Sequence, residues 1–254
     1  MSNTRRATLS PQKQSTPLAT QVVVAVVVLL CIGAIAFISI QAGGTDEDDV
    51  AGPGDATTEA QSSQPGQCTD PPAPPAQPKT YPAAPDPADT AGETFAATIV
   101  TSCGEIVVEL DGKAAPQTVA SFVFLSQDGY FDDSPCHRLT TAGIFVLQCG
   151  DPTGSGGGGP GYTFGVENAP DSGTYPPGTL AMARGTDPGS NGGQFFFVYD
   201  ETSLPDPNGY TIFGKVTDGL DIVEKVARQG VVGGAGDGAP AQPISILEVL
   251  VEEQ

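Results

Sequence analysis

Residues 136–162 read CHRLTTAGIFVLQCGDPTGSGGGGPGY, and this stretch decides how the rest of the chain is interpreted. It holds the single histidine of the chain, His137, followed by Arg138, two cysteines and a loop made mostly of glycine. The glycines could cradle a phosphate, but no G-K-[ST] follows and no G-x-G-x-x-G stands between a strand and a helix. We therefore interpret the loop as a mobile or tightly turning surface loop.

A hydrolytic site is the second interpretation of this stretch. His137 could act as a general base, with Ser134, Ser155 or a cysteine as the nucleophile. No G-x-S-x-G elbow accompanies these residues and no second histidine is present, which disfavours a hydrolase. One histidine and scattered acidic residues also make a catalytic zinc site improbable. We expect no metal and no cofactor.

The N-terminal 92 residues lack the composition of a globular domain. Residues 1–21 contain three basic and no acidic residues, and residues 22–40 form an apolar run long enough to cross a bilayer as a helix. The basic flank predicts a cytoplasmic tail followed by a transmembrane helix and an exported remainder. We thus expect a single-pass cell-membrane protein; a cleaved signal sequence and a buried helix are the alternatives.

Residues 41–92 are rich in Pro, Gly, Ala, Asp, Thr and Ser and predict a disordered linker, because they offer few apolar side chains to bury. The alternative is a proline-rich ligand for the aromatic groove of another protein. All thirty acidic residues, but only seven of the ten basic ones, follow the apolar run. Such an acidic chain is poorly suited to bind nucleic acid or anionic lipid.

Residues 93–254 have the length of a single domain. Two alternating runs that begin at Phe95 predict a hairpin, and later short apolar runs separated by Gly, Pro, Asp and Asn predict further strands. Helical spacing occurs after Pro116 and again in residues 219–230. The pattern predicts an all-β fold with two helices, in which a closed antiparallel barrel is capped by the helices.

Four cysteines follow the apolar run and allow three pairings. Cys136 and Cys149 flank a segment that can fold as two strands with a bend at residues 141–143, which places their sulfurs opposite each other. In an oxidising compartment this favours a Cys136–Cys149 disulfide and, by elimination, a Cys68–Cys103 disulfide. Four free or buried thiols are the alternative.

Five segments occur in one order with plausible spacing: CHRL (136–139), FVLQCGDPTGSGGGGPGY (145–162), GTLAMAR (178–184), SNGGQFFFVY (190–199) and YTIFGKV (210–216). Together they resemble the cyclophilin family of peptidyl-prolyl cis/trans isomerases, in a membrane-anchored bacterial form. The family pattern at these places is close to F-H-R-I, F-x-x-Q-G-G-D, a glycine-rich loop, L-x-M-A, N-x-S-Q-F-F and V-F-G-K-V. The resemblance implies an eight-stranded antiparallel closed β-barrel capped by two α-helices.

The resemblance also implies a site. Arg138 matches the arginine that donates to the prolyl nitrogen, and Gln148 matches the glutamine that braces this arginine and holds the substrate backbone. The implied substrate-binding residues are Phe145, Val146, Met182, Ala183, Arg184, Gln194, Phe196, Leu204 and Tyr210. His137 then becomes a structural neighbour of the arginine rather than a base.

Some positions depart from the family pattern. Cys149 stands where the family often has glycine, Gly193 replaces a serine, and the chain contains no tryptophan. Many members bind cyclosporin with a tryptophan, so its absence puts cyclosporin binding in doubt. We expect a monomeric isomerase that assists the folding of proline-containing exported polypeptides. A non-catalytic chaperone or scaffold module that holds such segments at the cell surface is the alternative.

Overall fold

The structure, a computed structural model, describes residues 67–254. The predicted cytoplasmic tail (1–21), the predicted transmembrane helix (22–40) and the first part of the predicted linker (41–66) lie outside the described residues. Between residues 67 and 254, no helix combines the length and the apolar character that a membrane crossing requires.

The described region contains twelve strands and two helices. The strands are β1 (Thr94–Thr101), β2 (Gly104–Asp111), β3 (Ser134–Pro135), β4 (Arg138–Ala142), β5 (Ile144–Cys149), β6 (Thr174–Tyr175), β7 (Thr179–Met182), β8 (Phe195–Val198), β9 (Thr202–Ser203), β10 (Ile212–Asp218), β11 (Asp237–Gly238) and β12 (Ser245–Glu253). The helices are α1 (Pro116–Gln127) and α2 (Leu220–Arg228). Short 3-10 turns cover Pro87–Asp89 and Val232–Gly234.

Ten of these strands form one antiparallel sheet in the order β11-β4-β5-β8-β7-β10-β2-β1-β12-β3, and β6 pairs with β9 separately. The sheet curls into a barrel-like form. Strand β3 stands at one end of this strand order and pairs with β12. Along the chain only Cys136 and His137 separate β3 from β4, which stands next to the opposite end of the order. The predicted antiparallel barrel-like sheet with two helices is confirmed, but the expected strand number of eight is wrong. Two-residue strands such as β3 and β11 were missed because they are too short to show a periodicity.

Alternation along the strands separates two clusters of buried side chains. In β1 every second residue is buried, including Ala97 and Ile99, as expected of a strand with one face on a core. In β8 the side chains of Phe195 and Phe197 join the main core, whereas Phe196 joins a smaller cluster on the other face of the sheet. The smaller cluster has the following buried members: Val146, Tyr175, Ala181, Phe196 and Val198.

The two helices lie within the segments in which the sequence predicts them. Pro116 occupies the first turn of α1, and Gly129 just after α1 has a φ of +67°, a left-handed conformation that favours glycine. Helix α2 follows Gly219 and carries an exposed Asp221–Lys225 pair across one turn, with an N···O distance of 2.7 Å. Both predicted helices are therefore confirmed.

Both predicted disulfides are present: Cys68–Cys103 and Cys136–Cys149. The second bridges the β4–β5 hairpin, whose bend lies at Gly143 with a φ of +79°. The bridge therefore closes the segment that carries the arginine and glutamine singled out in the sequence. The alternative of four free thiols is wrong.

Residues 67–92, which we name the N-terminal strap, lie against the domain. The Cys68–Cys103 bridge fixes one end of the strap, beside a hydrogen bond of 2.7 Å from the Thr69 N–H to the Ser102 carbonyl. Farther along, the Tyr81 N–H donates to the Pro160 carbonyl at 2.7 Å. The sequence assigned the strap to a disordered linker; it is ordered because a disulfide and backbone hydrogen bonds hold a segment that is poor in apolar side chains.

Candidate functional site

Arg138 and Gln148 face each other across the β4–β5 hairpin. They are register partners in the antiparallel pair, so the fold places both side chains on one face of the sheet. Arg138 Nη1 donates a hydrogen bond of 3.1 Å to Gln148 Oε1. The two residues that the resemblance assigned to catalysis are thus in contact.

A chain of amide hydrogen bonds continues from this pair. Gln148 Nε2 donates to Gln194 Oε1 at 2.8 Å. Gln194 Nε2 in turn donates to the carbonyl oxygens of Gly156 and Gly158, at 3.0 and 2.9 Å. The glycine loop and the arginine are therefore linked through two glutamine side chains.

A cavity of about 100 Å³ lies beside the arginine, with polar groups at its rim and apolar side chains beneath them; we name it the apolar cavity after these side chains. Its lining residues are Arg138, Ile144, Val146, Gln148, Ala183, Arg184, Phe196, Leu204 and Tyr210. The floor belongs to the smaller hydrophobic cluster, because Phe196 is opposite Gln148 in the β5–β8 pair and opposite Ala181 in the β7–β8 pair. Guanidinium and carboxamide groups thus border a small apolar space.

Two predicted pocket residues do not line this cavity. Phe145 lies on the opposite face of β5 and packs edge-on against Tyr199, with ring centroids 6.0 Å apart. Met182 is buried in the main core, one strand position away from Ala181. The pocket positions of Phe145 and Met182 are therefore corrected, since successive strand residues point to opposite faces of a sheet.

Ile144 occupies the place that the sequence analysis gave to Phe145. Ile144, Val146 and Gln148 are two residues apart along β5, and all three line the cavity. The signal was available in the sequence, because a period of two counted back from Gln148 selects Ile144 and excludes Phe145.

The side chain of Arg184 is only 1% exposed and is held from several sides. Its Nη2 contacts Asp206 Oδ1 at 2.6 Å and the Gly209 carbonyl at 2.7 Å. Its guanidinium carbon lies 4.6 Å from the centre of the Tyr210 ring. Arg184 therefore acts as a support for Tyr210: it stacks on the ring and is held by an ion pair with the half-buried Asp206.

Asp237 was not found from the sequence. Its two carboxylate oxygens accept hydrogen bonds from Arg138 Nε and Nη2, at 2.8 and 2.7 Å. The hydrogen bond with Arg138 lowers the pKa of Asp237 and raises that of Arg138, so both groups are charged at neutral pH. Asp237 is the only charged residue between positions 229 and 247, but its distance from Arg138 in the chain conceals the pairing.

The glycine loop folds around Asp151, which is fully buried. Burial raises the pKa of this carboxyl, but hydrogen bonds from Thr153 and from the Gly158 and Gly156 N–H groups outweigh it and hold the pKa below its usual value. A Cβ at Gly158 would lie 2.0 Å from Asp151 Oδ1, so this position accepts only glycine. The loop thus encloses a carboxylate of its own rather than an external phosphate.

His137 is half-buried against this loop, with its ring about 3.5 Å from the place of a Cβ on Gly156. Within residues 67–254 neither ring nitrogen has a hydrogen-bond partner. Burial lowers the pKa of His137, partly opposed by the negative charge of Asp151, so the ring is neutral at pH 7. Ser155 Oγ contacts Asp151 and Thr153 rather than the imidazole, which leaves a Ser–His hydrolytic pair unsupported.

A second, larger cavity of about 600 Å³ adjoins the first. The glycine loop forms one wall, and Gln148, Ala183 and Arg184 are shared between the two cavities. Gln194 lines only the larger one. The predicted binding residues therefore extend along a groove, in which Leu204 and Tyr210 lie at the apolar end and Gln194 at the polar end. Within the described residues no cluster of three or more His, Cys, Asp or Glu side chains could hold a metal ion.

Residues 96–251 match the family model of the cyclophilin type peptidyl-prolyl cis-trans isomerases. The chain belongs to this cyclophilin family. The match covers all of the sheet except the outer ends of β1 and β12, and it includes both helices and every residue of the groove. The resemblance inferred from the five sequence segments is thereby confirmed for the family.

Known cyclophilins resemble this chain in sequence and in fold. A probable peptidyl-prolyl cis-trans isomerase B of Mycobacterium tuberculosis is 45% identical over 167 residues, which are 61% of this chain and 53% of that protein. The chain thus spans about half the length of the first curated relatives that it matches. A probable isomerase A of Mycobacterium bovis is 36% identical over 176 residues, covering 62% of this chain and 92% of that protein.

The solved cyclophilin type isomerase of Cryptosporidium parvum has a TM-score of 0.55 and 30% identity to this chain, covering 63% of this chain and 99% of that one. A further structure of that protein was determined in the presence of the dipeptide Ala-Pro.

Proposed function

We propose that this cyclophilin accelerates cis/trans rotation about X-Pro peptide bonds. One observation carries the proposal: the Arg138 guanidinium, braced by Gln148, borders an apolar cavity of about 100 Å³. A proline ring fits such a space, and the N–H groups of the arginine then lie beside the prolyl amide. The Ala-Pro dipeptide used with the Cryptosporidium relative supports a proline as the occupant.

The chemistry requires no covalent step. Resonance in the amide opposes rotation with a barrier of about 18–20 kcal/mol, and uncatalysed X-Pro isomerisation takes tens to hundreds of seconds. During rotation the prolyl nitrogen loses conjugation and becomes a better hydrogen-bond acceptor. An Arg138 N–H that donates to this nitrogen binds the twisted state more tightly than either planar state, which lowers the barrier.

The groove divides the substrate between two cavities. The apolar cavity, with Val146, Phe196 and Leu204, takes the proline ring. Gln148 and the backbone at Ala183 border both cavities and hold the peptide backbone, while the larger cavity takes a flanking residue. His137, neutral and without a hydrogen-bond partner in the described region, transfers no proton in this scheme.

Exchange NMR on a short X-Pro peptide tests the proposal, because it reports the isomerisation rate and the binding of the peptide separately. The full-length chain in detergent micelles is compared with its Arg138→Ala variant. We expect kcat/KM to fall by about 10²- to 10³-fold, the loss associated with removal of one donor to a transition state. Arg228→Ala is the matched control, since Arg228 is 60% exposed and pairs with Glu224 on α2.

If the parent protein binds the peptide but does not accelerate exchange, the isomerase proposal is contradicted and the non-catalytic binding module is favoured. Equal rates for the parent and the Arg138→Ala variant would show that the reaction does not depend on Arg138. Peptide affinity should survive in the variant, because the apolar cavity remains.

We further propose that the isomerase domain is exported, stays anchored in the membrane in a bacterial cell and assists the folding of exported proteins. The apolar run 22–40 and the basic residues before it support this location. The two disulfides also support it, because such bonds persist in oxidising compartments. Protease added to intact spheroplasts should degrade the domain and leave a membrane-bound N-terminal fragment; a protected domain would contradict the location.

A further inference from the structure

Asp237 binds the guanidinium of Arg138 with both carboxylate oxygens. Nε donates to Oδ1 at 2.8 Å and Nη2 donates to Oδ2 at 2.7 Å, so the two planar groups meet edge to edge. This two-point geometry fixes the direction of the guanidinium plane as well as its position. A single hydrogen bond to Gln148 would leave the plane free to rotate.

The backbone holds Asp237 in place without help from its side chain. Strand β11 pairs with β4, with Asp237 opposite Thr140 and Gly238 opposite Leu139. The Thr141 N–H also donates to the Gly236 carbonyl at 2.8 Å, and a Cβ on Gly236 would lie 2.8 Å from Ala142 Cβ. The loop is therefore docked on the arginine strand by main-chain bonds, which leaves the carboxylate free for Arg138.

The Arg138–Asp237 ion pair contributes little to the stability of the fold. The side chains of Arg138 and Asp237 are 38% and 56% exposed, and exposed ion pairs contribute little to folding. Their geometry is nevertheless well defined, and one partner lines the apolar cavity. The pair is therefore better explained by what it does to Arg138.

The hydrogen bonds leave a defined set of donors. A guanidinium has five N–H groups, of which two are used by Asp237 and one by Gln148. One N–H on Nη1 and one on Nη2 remain without these partners. Asp237 thus selects which N–H groups of Arg138 a bound peptide can meet.

We propose that Asp237 is a positioning residue for the isomerase reaction, which orients the Arg138 guanidinium so that its remaining N–H groups point at the prolyl nitrogen. This inference rests on the proposed function. The reaction is faster because the Arg138 donor is already oriented before the substrate binds, so the Arg138 side chain loses no rotamer freedom while the amide twists. Asp237 itself does not touch the peptide in this scheme.

The test compares four forms of the full-length chain in detergent micelles: the parent, Asp237→Asn, Arg138→Ala and the double variant. Asparagine keeps the shape of the side chain but removes its charge and one of its two acceptors. We expect Asp237→Asn to lower kcat by about tenfold, the scale of a misplaced donor, with peptide affinity changed less than about twofold. Asp221→Asn is the matched control, because it breaks an exposed ion pair on α2.

The double variant distinguishes positioning from a general structural effect. If Asp237 acts through Arg138, adding Asp237→Asn to Arg138→Ala causes no further loss of kcat/KM, whereas independent effects multiply. The NMR signal of the Arg138 Nε–H group should also shift in Asp237→Asn, since the hydrogen bond to Oδ1 changes.

Three results would overturn the inference. The first is a kcat of Asp237→Asn equal to that of the parent, and the second is a further tenfold loss when the two substitutions are combined. The third is a parent chain that binds the peptide but does not accelerate exchange; this result refutes the proposed isomerase function itself, and with it the inference that depends on it. A loss that appears in Asp237→Asn of an active parent, and is absent from Asp221→Asn, supports the inference.

Discussion

Replacing Cys68 and Cys103 by alanine removes the covalent bond that holds the N-terminal strap on the domain. The bridge joins residues 35 positions apart. Closing a loop of this length in the unfolded chain removes conformational entropy equivalent to about 4 kcal/mol at room temperature. Cys103 is 8% exposed, so alanine is preferred to serine, which would bury a hydroxyl group. We expect the free energy of unfolding to fall by about 4 kcal/mol.

Urea unfolding followed by fluorescence or circular dichroism measures this change on a fragment covering residues 60–254. The matched control is the double alanine variant of Cys136 and Cys149, which are 13 positions apart. The shorter loop predicts a smaller entropic loss, about 3 kcal/mol. The parent protein under reducing conditions should lose both contributions.

A loss below about 1 kcal/mol for the Cys68 and Cys103 variant, with an unchanged urea dependence, would refute the loop-closure argument. A lower urea dependence would instead indicate that less surface is buried in the folded state, because the slope follows the surface exposed on unfolding. That result would show that the remaining contacts of the strap, such as the Tyr81 N–H to Pro160 hydrogen bond, do not hold it without the bridge.

Two further predictions concern the glycine loop and the apolar cavity. Asp151→Asn should lower the free energy of unfolding by about 2–3 kcal/mol at pH 7, since a buried carboxylate loses charge-assisted hydrogen bonds. Because the folded-state pKa of Asp151 is lowered, its contribution to stability is complete above the unfolded pKa of about 4 and is lost as pH falls through the folded pKa. Urea unfolding should therefore show a smaller difference in stability between the parent and Asp151→Asn at pH 3 than at pH 7. An equal difference at both pH values would contradict this reasoning. Leu204→Ala should lower kcat/KM about fivefold in the exchange assay, mainly through peptide affinity, because about 1 kcal/mol of apolar contact with the proline ring is lost. Leu250→Ala, at a side chain that is 52% exposed, is the control, and an equal loss in both variants would exclude a cavity-specific effect.

The sequence predicted much of the local structure because local patterns carry it. Pro116, the helical spacing after it and Gly129 marked α1, and the alternation after Phe95 marked the first hairpin. The hairpin argument also paired Cys136 with Cys149, since both ends of a two-strand segment must meet. These features depend on contacts between residues close together in the chain.

The errors have an equally physical cause. Phe145 and Met182 were placed by family motif rather than by counting from Gln148, and a shift of one strand position moves a side chain to the other face of the sheet. The strap was assigned to a linker because its composition is polar and rich in proline. Composition does not show that the predicted Cys68–Cys103 bridge also ties this segment to the domain, nor that the backbone at Tyr81 bonds to Pro160.

The sequence by itself determined the family, the two helices and the longer strands of the domain, and the identity of the arginine and glutamine, because each follows from a motif or a short periodic pattern. Only the tertiary structure decided that Asp237 holds Arg138, 99 residues away in the chain, and that Arg184 supports Tyr210. A carboxylate can pair with any of several cations in a chain. The pairing of β11 with β4 selects one of them, and no local pattern encodes that choice.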